Sequence, residues 1–169
     1  MPALMQALNH PDEAYRRKAA EGLGRLGSRA KAAIPALLEC LKDQDELVRG
    51  QSAEALGSIG LDGRGETITV LPALLRDTSE FVRRMAASAL GSFGAVAAEA
   101  VLELTESLRD REEFVRRAAA DALGKIGTRA SQAAPALQVA LSDSDVFVRH
   151  WAAVALNKIV GVRGPTLKV

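Results

Sequence analysis

The stretch EFVRR, Glu80–Arg84, returns as Glu113–Arg117, and a close variant, VFVRH, follows at Val146–His150. The three copies start 33 residues apart. A short string that recurs at a fixed period of this length marks a stack of supersecondary units, each packed on copies of itself. With the arginine of each Val-Arg-like pair as anchor, the array extends in both directions through Arg16, Arg49, Arg83, Arg116 and Arg149, spaced by 33, 34, 33 and 33. A leucine stands seven residues after each anchor, at Leu23, Leu56, Leu90, Leu123 and Leu156. A glycine stands eleven after it at Gly27, Gly60, Gly94 and Gly127, and the fifth copy reads Val160-Gly161. Five repeats are present, approximately 1–27, 28–60, 61–94, 95–127 and 128–161, followed by a tail at 162–169, all in one domain.

Each repeat carries two segments of helical periodicity. The second, as in ELVRGQSAEALGSIG, sets Val48, Ser52, Ala55, Leu56 and Ile59 on one stripe, the spacing of an amphipathic helix, and a glycine ends it. Asp12, Asp45, Ser79 and Asp145 stand four before the anchor as expected N-caps, with Glu112 the exception. The first segment, as in KAAIPALLECLKD, buries Ile34, Leu37, Leu38 and Leu41; its counterparts are Ile68, Leu71 and Leu75, then Val101, Leu104 and Leu108, then Ala134, Leu137 and Leu141. Pro2, Pro35 and Pro135 share a slot that Leu102 fills in the fourth repeat, while Pro72 lies one turn later. Proline inside a helix removes a hydrogen bond and bends it, so these first helices are expected to differ in kink. The glycines of LDGRGE, between repeats two and three, lack the Gly-Lys-Ser/Thr of a phosphate loop and read as a turn.

The composition agrees with packed helices. Aromatic residues make up 4% of the chain, and alanine and leucine dominate. Lys and Arg number 22 against 21 Asp and Glu, for a net charge of +1, which makes a nucleic-acid partner unlikely because such affinity comes mainly from neutralising phosphates. A single cysteine, Cys40, excludes an internal disulfide framework. No run approaches the roughly 20 apolar residues of a membrane span, and no basic segment leads into an apolar one at the start. The default expectation is a soluble cytoplasmic protein.

The pattern Asp…Val-Arg-x-x-Ala-Ala-x-Ala-Leu-Gly-x-Ile-Gly, read in DELVRGQSAEALGSIG and DREEFVRRAAADALGKIG and followed by a helix with Pro-Ala-Leu, resembles HEAT repeats of the phycobilisome-lyase-like type. The resemblance implies an all-α fold, a right-handed α-solenoid of five helix pairs. It also implies that each anchor arginine pairs with an aspartate six residues earlier or with the same aspartate of the adjacent repeat. The residues of that ladder are Arg49, Arg83, Arg116 and Arg149 with Asp43, Asp77, Asp110 and Asp143; the first repeat has His10 in the aspartate slot. Phe and Val of EFVRR are expected to face neighbouring helices.

In stacks of this kind the second helices line the concave, binding side. Its exposed slots fall one, two, five and nine after the anchor and hold seven basic and three acidic side chains, so this face carries +4 and the remainder −3. The variable residue after the anchor is Arg17, Gly50, Arg84, Arg117 or His150. Trp151 and Val154 occupy slots held elsewhere mostly by polar residues, which marks them as an apolar anchor for a partner, with the tail folding over the indole as the alternative. The expected site is Trp151, Val154, His150 and Met85, with Arg84, Arg117, Asp121, Lys125 and Lys158 around it. His10 and His150 are four repeats apart and at ~8–10 Å per layer cannot share a metal. Cys40 matches small packing residues, and DQDE and DSD lack the glycine and glutamate of a calcium loop. No catalytic set and no cofactor or metal site is read from the chain. The expected function is a non-enzymatic scaffold for a protein or peptide, with the charge of the face favouring an acidic one. The resemblance also implies two alternatives: a bilin-lyase-like, cofactor-handling protein and a HEAT-like DNA glycosylase, to which Trp151 beside Asp121 would belong.

Overall fold

A computed structural model describes residues 1–61 and 65–161. The middle of the LDGRGE turn and the tail expected over Trp151 lie outside the described residues. Every element among the described residues is helical. The second helices of the five repeats are α2 (Glu13–Leu26), α4 (Glu46–Ile59), α6 (Glu80–Ser92), α8 (Glu113–Ile126) and α10 (Val146–Val160). The first helices are α1 (Pro2–Ala7), α3 (Ile34–Cys40), α5 (Glu66–Val70), α7 (Val101–Ser107) and α9 (Ala134–Ala140). Tight 3₁₀ turns lead into α3, α7 and α9, and one continues α5 as Leu71–Arg76. The result is an α-solenoid: α2 packs on α4, α4 on α6, α6 on α8 and α8 on α10, with the first helices forming a second layer.

The core runs through the stack as one continuous cluster. Val48, Val82, Val115 and Val148, one before the anchor, are fully buried, as are Leu23, Leu56, Leu90 and Leu123, seven after it. Leu156, the fifth leucine, is only partly buried and Leu141 is exposed, since among the described residues no further repeat packs on them. Asp45 and Asp145 cap their helices by accepting the N–H of Val48 and Val148, at 2.9 and 2.8 Å. Ser79, expected to do the same, makes no such bond. Pro2, Pro35 and Pro135 do not kink helix interiors, whereas Pro72 stands where α5 passes into the 3₁₀ segment Leu71–Arg76. Pro35 and Pro135 sit in the first turn of α3 and α9, where the missing N–H would have had no partner, and α7 begins at the same point of its repeat without one.

The second helices approach closely because of a glycine eight residues after the anchor. A Cβ added to Gly24, Gly57, Gly91 or Gly124 would lie 3.1, 2.8, 3.0 or 3.1 Å from the Cα of Ala55, Ala89, Ala122 or Ala155 in the next repeat. The obstacle is backbone, which cannot step aside as a long side chain would. Small residues facing small residues thus set the layer spacing, and Asn157 holds the slot in α10. Gly57→Ala is therefore expected to destabilise the fold by about 1–2 kcal/mol, overpacking outweighing the helix propensity that alanine adds. Ser58→Ala, next to it but exposed, should stay within about 0.5 kcal/mol. Urea titration of the two variants checks this; a more stable Gly57→Ala protein would show that the spacing can relax.

Candidate functional site

The register of the second helices is set by the anchor arginines. The Arg16 guanidinium donates through Nε and Nη2 to both oxygens of Asp43, at 2.7 and 2.9 Å, while Nη1 reaches the carbonyls of His10 and Pro11. The pattern repeats from Arg49 to Asp77, Arg83 to Asp110 and Arg116 to Asp143, with Nη1 on the carbonyls six and five residues back. The carboxylate partner is thus the aspartate of the following repeat, and the aspartate of the same repeat contributes its backbone carbonyl. Each carboxylate also accepts the N–H two residues on, as Asp43 does from Asp45 at 2.9 Å. Arg16 is a full member of the ladder. His10 copies the aspartate's local role, its Nδ1 accepting the N–H of Asp12 at 3.1 Å. Arg149 keeps the two carbonyls, Asp143 and Ser144, but meets no carboxylate among the described residues.

These pairs are largely shielded, with side-chain exposures of 9–17%. At Asp43 and Asp143 the arginine hydrogen bond holds the carboxyl below its usual range against the opposing effect of burial. At Asp77 and Asp110 burial is the largest single influence and pushes upward, yet the arginine and backbone N–H groups together leave the net shift downward.

A second row of contacts lies beside the ladder, formed by residues two before and one after the anchor. At 100° per residue these positions share a helix face with those two, five and nine after the anchor. Phe81 lies over Gly50, where an added Cβ would come within 2.3 Å of its ring. Arg84 sits over the Phe81 ring at 5.5 Å, and Arg117 is sandwiched between Phe114 at 4.8 Å and Phe147 at 4.5 Å. Arg117 also forms a bidentate pair with Asp145, at 2.7 and 2.6 Å, which holds that carboxyl down to about 2. Phe114 and Phe147 remain 49% and 53% exposed. The expectation that Phe and Val of EFVRR face neighbouring helices separates the two side chains: Val82 and Val115 are buried and Phe81 lies partly buried over Gly50 of the preceding repeat, but the Phe114 ring, like Phe147 of VFVRH, is about half exposed. The sequence signal was available, since slot −2 reads Ala14, Leu47, Phe81, Phe114 and Phe147, too varied for a core position.

The expected site residues do not form one cluster. Met85 is 8% exposed and belongs to α6, two layers from Trp151, with α8 between them. It is a core residue and drops out of the proposed surface. Trp151 and Val154 are half-buried, Trp151 packs against the core, and His150 meets its ring edge-on at 5.4 Å. The face is also less free a basic surface than a count of charges implies. Lys125 pairs with Asp121 at 2.7 Å, Arg25 with Glu21, and Arg117 with Asp145. Arg17, Lys18, Arg84 and Lys158 make no ion pair among the described residues.

Cys40 is buried, and burial pushes its thiol up, which suits a packing residue. Among the described residues no group of three His, Cys, Asp or Glu side chains is placed to hold a metal. No described helix is long and apolar enough to cross a membrane.

The family model for HEAT repeats matches residues 1–67 and 68–157. No curated protein sequence matches the chain. Among solved structures, the complex of CpcE and CpcF of phycocyanin lyase from Nostoc sp. PCC7120 is similar at 26% identity and a TM-score of 0.80, over 96% of this chain and 66% of that one. An engineered protein is similar at 26% identity and a TM-score of 0.76, over 93% of this chain and 78% of that one. A designed armadillo repeat protein in complex with the peptide (KR)4 shares the fold at 20% identity and a TM-score of 0.75, over 92% and 80%.

The two rows of arginines predict distinct behaviour. Arg116→Ala strands the shielded Asp143 carboxylate and is expected to cost roughly 2–4 kcal/mol, while Lys158→Ala should stay within about 0.5 kcal/mol. Arg117→Ala should fall between them, since it loses Asp145 and two aromatic faces and is no merely solvated side chain. Because the ladder aspartates and Asp145 are depressed in the folded state, their contribution is complete above the unfolded carboxyl value of about 3.9 and is lost as pH falls through the lower folded values. The urea midpoint should therefore hold from pH 7 to 5 and fall from about pH 4 toward 2. Asp143→Asn, already weakened at pH 7, should lose less over that acid range; an identical acid profile would show that the ladder carries none of it.

Proposed function

Since the chain belongs to the HEAT-repeat family, matched over nearly its whole length, we propose that it is a non-enzymatic scaffold that holds a protein or peptide across the face of α6, α8 and α10. The observation that carries this reading is the row of half-exposed rings at Phe114 and Phe147, continued by the partly covered Trp151. The chain has only four phenylalanines, one tyrosine and one tryptophan, and two of those phenylalanines are left on one surface with the tryptophan beside them. Exposed aromatic area of this kind is costly to leave in water and is characteristic of docking surfaces. Arg84 beside Phe114, and Lys158 exposed on α10, make no ion pair among the described residues and favour an acidic partner. That the phycocyanin lyase relative is itself a complex of two proteins supports an interaction role. The same relative supports a second reading, a bilin-lyase-like role, which predicts tetrapyrrole absorbance in protein produced alongside bilin.

The competing surface is the first-helix side, where Leu102 and Val139 are 62% and 75% exposed. A photo-crosslinking residue at Ser88 or Ser92 should capture the partner, and one at Leu102 or Val139 should not; the opposite pattern overturns the assignment of the face. Trp151→Ala is expected to weaken the captured interaction at least tenfold, as truncation of a hot-spot tryptophan does. Because Trp151 also packs against the core, the same change should lower the melting temperature, and Val154→Ser separates the two effects by altering the face with less loss of packing.

A further inference from the structure

The slot after the anchor is occupied by arginine in three repeats, as Arg17, Arg84 and Arg117, and the two neighbouring copies, Arg84 and Arg117, both lie against phenylalanine rings but differ in what meets the fork. In the later copy, Arg117 lies between Phe114 and Phe147, and its fork is filled by the carboxylate of Asp145, four residues before the next anchor. In the earlier copy, Arg84 lies over Phe81. With Phe114 and Glu80 it lines an open surface cavity of about 210 Å³. The residue in the position of Asp145 is Glu112, whose carboxylate is paired with Arg111 at 3.3 Å. Arg84 makes no hydrogen bond or ion pair among the described residues. The backbone does not cause the difference: Glu112 and Asp145 have nearly the same conformation, φ −94 and ψ 124 against φ −82 and ψ 129. A cap aspartate does not fill the fork by itself, since Arg17 stands in the same relation to Asp45 and makes no ion pair among the described residues; Arg117 and Arg84, unlike Arg17, lie against phenylalanine rings, and of these two only the one facing an aspartate is filled.

The geometry points to the Arg84 pocket as a receptor for a side-chain carboxylate of an extended acidic peptide, with apolar neighbours of that carboxylate resting on Phe81 and Phe114. The inference rests on the reading of the α6–α10 face as the docking surface, and it names the chemistry that one position there selects. Arg117 and Asp145 show within the same molecule what the filled site looks like: a planar fork meeting two oxygens, with an aromatic ring on either side. Glu80 is the one carboxylate on the pocket wall and opposes an acidic ligand. Its counterpart Glu113 stands in the same relation to Arg117, whose interactions include an attraction to that residue, and the fork nonetheless holds Asp145. A local acid at that slot is therefore compatible with occupancy.

The test uses a blocked pentapeptide alternating leucine and glutamate, titrated into the full ¹⁵N-labelled chain while the arginine Nε–Hε signals are followed. The Arg84 signal should shift saturably and the Arg117 signal should stay in place. Replacing the peptide's glutamates by glutamine should abolish the Arg84 shift. Arg84→Gln should weaken binding at least tenfold. Glu112→Asp should do the same while keeping the protein's charge, because the shorter carboxylate fills the fork from within as Asp145 does, and its melting temperature should not fall. A Glu112→Asp protein that binds the peptide as well as the parent, or a peptide whose glutamine version binds equally, overturns the proposal. A peptide that binds with Arg84 silent overturns it too, while leaving the face to be decided by the crosslinks from Ser88 and Leu102.

Discussion

One guanidinium, bonded on one edge to two carbonyls of its own turn and on the other to the carboxylate of the next repeat, determines most of what this molecule is. The carbonyl contacts tie the arginine to the loop that precedes its helix, so its fork emerges in a fixed direction. The bidentate contact then leaves the following aspartate almost no freedom in height or angle. Because that aspartate also caps the turn of its own repeat, each link orients the loop from which the next arginine projects. The ladder stabilises less by the energy of an ion pair, which burial partly offsets, than by propagating register from one layer to the next. The glycine-on-alanine contacts set how far apart the layers lie; the ladder sets how they are turned.

Once register is fixed, the neighbours of the anchor are fixed with it. The residue after the anchor in one repeat is brought beside the residue two before the anchor in the next, which is how Arg117 comes to stack on Phe147 and Gly50 comes to lie under Phe81. Two adjacent arginines in EFVRR therefore take different parts. The first is shielded and bonded in every repeat; the second depends on what the next repeat offers it. Asp145 closes the fork of Arg117 between its rings, Glu112 leaves that of Arg84 open, and Asp45 leaves Arg17, whose neighbouring slots hold Ala14 and Leu47, without an ion pair among the described residues.

The repeat period, the buried valines and leucines, the glycine stops and the solenoid were legible because each is a regularity along the chain, and stacking translates such regularity directly into layers. The aspartate that each arginine selects was not, since the same-repeat and next-repeat residues lie at equally regular spacings and only the folded geometry separates carbonyl from carboxylate. The proline slot misled for a related reason: periodicity shows that a segment is helical but places its first turn poorly, and a proline in that turn ends up opening the helix and not bending it. Met85 was read as exposed because its slot holds Lys18 and Gln51 in other repeats, yet the α6 surface at that point is closed over by its neighbours. The aromatic row was legible only in part, because Phe81, Phe114 and Phe147 share the slot two before the anchor while Trp151 continues the row from another slot, two after it.

This division explains how such an array can acquire a binding surface without disturbing its fold. The anchor arginine, the aspartate six before it, the valine before it and the leucine seven after it answer to contacts that the inner layers share, the first repeat departing from them with His10 and Tyr15. The positions two before the anchor and one, two and five after it answer mostly to the adjacent layer and to whatever lies on the surface, and the cap position four before it adds only the first turn of its own helix. Substitutions there alter which rings are exposed and which forks are filled, while the register that places them side by side stays under the control of other residues. The fifth repeat displays this freedom, carrying His150 and Trp151 where others have Arg and Lys or Ala while keeping Val148 and Arg149 in their places. Recognition in this molecule is thus written in the cap and flanking slots of a ladder whose own rungs are too constrained to vary.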